Sequence, residues 1–175
     1  MKKRKEKEHY VDNKKFLEEV IQLRNFFAEG KDLGHSNYKE TILYFRNHQD
    51  RRTSVKFVRC YEYLGGVFKK IANHLSYKPN FINYMYKDDM ICDGIENCIQ
   101  YVQNFNPSKG GNPFAYFTQI VYYAFLRRIA KEKRQLDIKD KIIEKSGFNE
   151  IASVDGDSPS SYNQIKSKIE MRMNY

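Results

Sequence analysis

Between residues 88 and 134 the chain carries two groupings of side chains whose chemistry is that of binding. From 88 to 96 stand four carboxylates, Asp88, Asp89, Asp93 and Glu96, and no cation. On a helix Asp89, Asp93, Glu96 and Asn97 share one side, because steps of three and four bring side chains together. Such a face suits a basic protein partner, and like-charge repulsion sets it against DNA. A solvated acidic helix start, favoured by the macrodipole, accounts for the same charges. The second grouping places the rings Phe114, Tyr116, Phe117, Tyr122, Tyr123 and Phe125 close together. After them come Arg127, Arg128, Lys131, Lys133 and Arg134 against Glu132 alone. The rings cannot all point one way on a helix, so some must reach solvent. An unpaired base stacks on Phe or Tyr for roughly 1–3 kcal/mol, while flanking cations hold phosphates. A buried aromatic stripe ending in a solvated basic turn fits the same residues equally well.

Lysine and arginine total 31 against 22 acidic residues, a net charge of +9 that points to a polyanionic partner. There is no GxSxG, no Walker-type loop and no carboxylate pair with a partnering base, so an enzyme is not expected. His9, His35, His48 and His74 form no HxxxH pair. Cys60, Cys92 and Cys98 lack CxxC spacing and read as buried thiols in a reducing, cytoplasmic setting. Neither a metal nor any other cofactor is expected. The apolar run at 120–126 is far short of the roughly 20 residues a bilayer span needs, and no apolar stretch follows the basic start, so no secretory signal is read there.

The elements that must position these groups read as helices. Nine glycines and four prolines in 175 residues is sparse punctuation for a β-rich chain, which favours an all-α bundle of about five to six helices with flexible ends. Residues 1–11 form a basic disordered arm. Asp12 caps a helix to about Glu29 that carries Phe16, Val20, Leu23 and Phe27, with Gly30 closing it. A loop and a weak helix at 41–48 complete the segment 12–50. Thr53 or Ser54 opens a helix with the stripe Val55, Val58, Tyr61, Leu64, Phe68, Ile71 and Leu75. Its Gly65-Gly66 pair suggests close packing against another helix, and Pro79 ends it. The acidic helix spans 87–105, with Ile91, Ile95, Cys98 or Ile99, Val102 and Phe105 on its apolar side. Residues 106–111 turn, and Asn112-Pro113 starts the aromatic helix. From 146 to 175 the chain thins to a linker, with Ser158-Pro159-Ser160 inside it, and a tail.

The segment DDMICDGIENCIQYVQNFNPSKGGNPFAYFTQIVYYAFLRRIAKEKR resembles region 2 of bacterial RNA polymerase sigma factors. That family pairs a helix of the type D-L-x-Q-x-G-x-x-G-L, a K-F-D turn and an F-S-T-Y-A-x-W-W-I-R helix. Asp89 matches the opening acid, Gly94, Ile95 and Ile99 the small and apolar positions, and Phe105-Asn106 the F-D. Phe114, Ala115, Tyr116 and Phe117 match F-S-T-Y, and Arg128 the later basic position. The wording is nearest to the reduced late-transcription sigma factors of T4-type bacteriophages, whose preceding helix resembles 58–75 here. The likeness covers about 53–141, within a domain read as 53–145, and its specific part is 88–134.

The resemblance implies a sigma factor that gives core RNA polymerase recognition and melting of an AT-rich −10-like promoter element. Polymerase docking, on the clamp helices of the largest subunit, falls to Asp89, Asp93, Glu96, Asn97 and Gln100. Capture of the melted strand falls to Phe114, Tyr116 and Phe117, with Tyr122 and Tyr123 beside them. Phosphate contacts fall to Lys109, Arg127, Arg128, Lys131 and Arg134. The chain departs from the family where its paired tryptophans fall on Ile120 and Val121; either Tyr122 and Tyr123 supply the wedge or it is aliphatic. No helix-turn-helix follows for a −35 element. The ending QIKSKIEMRMNY lacks the acidic sliding-clamp peptide of the phage factors, although Ile169 or Met171 could anchor a clamp or co-activator. Two other functions remain open on these residues: a stand-alone regulator binding double-stranded DNA, and a helical adaptor that binds and inhibits RNA polymerase.

Overall fold

A computed structural model of the chain describes residues 11–109 and 112–145. Among these the chain is all-helical, in the order α1 (Asn13–Asp32), α2 (Tyr38–Arg46), α3 (Arg51–Ser76), α4 (Lys87–Gln100), two 3-10 turns (Val102–Asn104 and Pro107–Lys109) and α5 (Pro113–Lys145). Side-chain caps start four of the five long helices. Asp12 accepts from the Lys14 and Lys15 amides, Asn37 from Glu40, Asp50 from Arg52 and Thr53, and Asn112 from Phe114. Each satisfies donors that the first helical turn leaves open. The predicted arm and tail lie outside the described residues except for Val11, which is buried.

Several boundaries move from their sequence expectation, each for a local reason. At α2 the Glu40 carboxylate also accepts from the Ser36 amide and from Asn37 Nδ2, a reciprocal box that starts the helix at Tyr38 instead of Thr41. Asp50 starts α3 before Thr53, whose hydroxyl donates to the cap carboxylate. Gly30 does not close α1. It lies inside the helix against Thr41, where an added Cβ would sit 2.7 Å from Oγ1. The left-handed glycine past the helix end is Gly34, at φ +89°.

The described residues up to Arg128 form one compact unit, so α1 and α2 share it with α3, α4 and the first half of α5. Its core holds two aromatic clusters. Phe16, Phe68 and Phe117 meet at centroid distances of 4.8 to 6.0 Å. Phe26, Phe45 and Phe57 meet at 5.0 to 5.6 Å. The second cluster sets the roll of α3, burying Phe57 and Cys60 and leaving Val55 exposed. From Ile129 onward α5 belongs to a second unit, in which Leu136, Ile138, Ile142 and Ile143 are exposed.

Gly65 and Gly66 are not at a close helix contact, because a Cβ at either position meets nothing within 4 Å. Alanine at each site is therefore expected to stabilise the fold by about 0.5–1 kcal/mol through the entropy of the unfolded chain. Urea midpoints test this, and a loss of stability would restore the packing role. Gly94 does make a close contact. A Cβ there would stand 3.1 Å from Val121 Cγ1 and 3.2 Å from Phe125 Cε1, so its small size is what brings α4 close to α5.

The three thiols also separate. Cys60 donates to the Glu19 carbonyl and Cys98 to that of Phe117, and burial pushes both thiols above their ordinary value. Cys92 is exposed, contrary to the sequence reading. A disulfide reagent is expected to titrate Cys92 alone in the folded chain and all three thiols in denaturant. Fast reaction of a second thiol under native conditions contradicts this assignment.

Candidate functional site

On α4 Met90, Gly94 and Cys98 are buried, Gly94 and Cys98 against α5; of the expected apolar side Cys98, Val102 and Phe105 are buried and the isoleucines are only half-buried. Ile95 and Ile99 instead line an open surface groove of about 530 Å³ with Tyr38, Ile42, Leu43, Tyr61 and Cys92. This roll of α4 decides where its polar residues point. Asp88 and Asp89 are exposed in the first turn, and Gln100 is exposed at the last. Glu96 is exposed and accepts from the Tyr38 hydroxyl at 2.9 Å, with Lys39 Nζ at 3.6 Å. Burial first, and then this carboxylate, raise the Tyr38 phenol to about 12.

Asp93 and Asn97 face α5. Asp93 holds Arg128 in a bidentate pair, Nε to Oδ2 at 2.6 Å and Nη2 to Oδ1 at 2.7 Å. The geometry is the fork that guanidinium and carboxylate share. One turn on, Asn97 Oδ1 accepts from Arg127 Nη2 at 2.7 Å, and its Nδ2 donates to the Asp93 carbonyl. Two residues read as protein-docking groups and two read as phosphate contacts thus satisfy one another across the α4–α5 contact. Thirty-five positions separate Asp93 from Arg128, so no local pattern announces the pair. Arg127 is exposed and keeps further donors. Lys131 and Arg134 are exposed in the second unit. The side chain of Lys109 lies outside the described residues.

The rings of α5 divide by burial. Phe117 and Phe125 are fully buried, so neither can receive a base. Phe117, expected in the capture pocket, sits between Phe16 and Phe68 and supports the ring before it. Tyr116 is half-buried, stands edge-on to Phe117 and donates to the Tyr101 carbonyl at 3.3 Å. Burial raises its phenol pKa. Phe114 is half-buried near the start of α5. Tyr122 is 37% exposed and Tyr123 is 49% exposed. Tyr116, Ile120, Tyr123 and Arg127 follow steps of four, three and four, forming a strip of aromatic, aliphatic, aromatic and cationic side chains. Val121 is fully buried and cannot act as a wedge; half-buried Ile120 and the exposed tyrosines can.

One group lies outside the sequence-derived set. The α3–α4 loop brings Phe81 edge-on to Tyr122 at 5.6 Å, and in the same loop Tyr77 and Met85 are exposed and Tyr84 is half-buried. Its sequence signal is three tyrosines and two lysines from 77 to 87 without a carboxylate. Among the described residues no three His, Cys, Asp or Glu side chains gather to hold a metal, and no helix is long and apolar enough to cross a membrane. No protein-family model matches the chain, and no curated protein matches it significantly.

Proposed function

We propose that the chain acts as a sigma region 2-like initiation factor, giving core RNA polymerase the ability to recognise and open an AT-rich −10-like promoter element. The observation that carries this reading is the split of two surfaces over consecutive helices. Exposed carboxylates begin α4, and part-exposed rings with a cation line α5. The resemblance across 88–134 assigns the same two tasks to the same two segments. Asp88, Asp89, Glu96 and Gln100 dock on a basic partner, the polymerase clamp helices. Tyr116, Tyr122, Tyr123 and Phe114 receive unstacked bases, and Arg127 approaches phosphate. Arg128 acts through Asp93 as a positioning residue that holds α5 against α4. Weakly stacked TA steps lower the cost of extracting a base, so melting itself contributes to selectivity. Phosphodiester chemistry stays in the polymerase, and the setting is the cytoplasm of a bacterial host.

Run-off transcription with purified core enzyme on a TA-rich, late-type template tests the reading. The expected result is specific transcript only when the chain is present. Tight duplex binding without polymerase points to a stand-alone regulator. Polymerase binding without opening points to an inhibitory adaptor. Either outcome overturns the proposal.

A further inference from the structure

We infer that the α3–α4 loop, residues 77–86, is a second stacking surface for single-stranded nucleic acid, adjoining the Tyr122–Tyr123 pair. The inference shares with the proposed function an unpaired strand against α5, but it needs no polymerase. Phe81 is the anchor. It is 2% exposed and packs edge-on against Tyr122 at 5.6 Å and Phe125 at 5.2 Å. The Lys78 carbonyl accepts from the Phe81 and Ile82 amides at 2.8 and 3.0 Å, tightening the loop around that anchor.

What the anchored loop presents outward suits a nucleobase. Tyr77 is 65% exposed, and Lys87 Nζ stands 3.4 Å from its ring centroid. A cation on one face leaves the rest of the ring to solvent and keeps positive charge where a phosphate would follow a stacked base. Tyr84 and Tyr86 form a second ring pair at 5.4 Å. Lys78 is exposed, and no carboxylate occurs from 77 to 87. Rings interleaved with cations match the alternation of base and phosphate along a strand. A protein contact would use the aliphatic side chains, Ile82 and Met85, and leave the cation–ring pair without a role. The exposed Asp88 and Asp89, which follow Lys87 in the first turn of α4, bound the surface on that side by repulsion.

The test is fluorescence anisotropy of the full chain with a labelled twelve-residue oligothymidine and with an abasic strand of equal length. The wild-type chain is expected to prefer the oligothymidine. Tyr77→Ala weakens that binding about 5- to 100-fold, the loss of one stacked base, and leaves abasic binding unchanged; Tyr77→Phe restores it. Lys78→Gln weakens both ligands and lowers the salt slope by about 0.7, one single-strand phosphate contact. Equal binding of the two strands by wild type, or an unaltered oligothymidine affinity in Tyr77→Ala, overturns the inference. So does a Tyr77→Ala chain that binds the strand normally but no longer joins polymerase, which would make the loop a protein contact. Strand binding through Tyr77 by a chain that fails in run-off transcription would sink the proposed function and leave this inference standing.

Discussion

Phe117→Ala is expected to lower the unfolding free energy by about 3–5 kcal/mol, against a total of about 5–15 kcal/mol for a typical domain. The ring is wholly buried and touches Phe16, Phe68, Phe105 and Tyr116, so truncation leaves a cavity bounded by other rings that cannot easily collapse. Its neighbour gives the opposite profile. Tyr116 is half-buried and its hydrogen bond to the Tyr101 carbonyl is long, but its ring also meets Phe105 and Phe117, so Tyr116→Ala should cost about 1–2 kcal/mol, less than Phe117→Ala. On the proposed function it nonetheless impairs promoter opening, whereas Tyr116→Phe keeps the ring and preserves it. Urea unfolding and permanganate reactivity of promoter thymines, measured on the three variants, separate packing from capture. If Phe117→Ala unfolds near the wild-type midpoint, the core assignment is wrong. If Tyr116→Ala opens promoter DNA normally, its ring is packing and no more.

Adjacent rings with opposite roles show what the sequence could and could not convey. The α1 stripe was legible because Phe16, Val20, Leu23 and Phe27 keep one helical face along the helix, whereas the apolar neighbours Leu17 and Ile21 are followed on their face by Arg24. On α3 two stripes two positions apart compete, Val55–Val58 and Phe57–Cys60. The second is buried because Phe57 completes a cluster with Phe26 and Phe45, residues distant in sequence. On α4 the spacing offers Ile91, Ile95 and either Cys98 or Ile99 as the core; Cys98 is buried, but its partners on that face are Met90 and Gly94. Gly94 adds nothing to a hydrophobic pattern, but lacking a Cβ it fixes which face meets Val121 and Phe125. The candidate site was legible as composition, carboxylates followed by rings and cations. Its wiring was not, because Arg128–Asp93 and Arg127–Asn97 depend on how two helices roll against each other.

That wiring separates the carboxylates of α4 into two kinds with different expected effects. Asp88→Lys with Asp89→Lys reverses charge at two exposed positions that hold no partner helix. If they dock a basic protein, like-charge contact costs several kcal/mol, and affinity for core polymerase falls by about 30-fold or more. Both also sit in the first turn of a helix that has no side-chain cap, where each carboxylate contributes about 0.3–1 kcal/mol through the macrodipole. A purely local role therefore predicts a modest stability loss and unchanged polymerase affinity. Asp93→Asn should behave the other way. It weakens a part-buried, bidentate partner of Arg128, and charged hydrogen bonds of that kind contribute about 1.5–3 kcal/mol. Stability falls while docking through Asp88 and Asp89 persists. Raising salt should erode the affinity gap between wild type and the double reversal, because exposed charges are screened, and should change the Asp93→Asn stability loss much less. Surface-captured polymerase titrated with each variant at two salt concentrations, with unfolding measured in parallel, reads both quantities. A double reversal that binds polymerase as wild type does would reduce the start of α4 to a solvated helix end and remove the docking half of the proposed function.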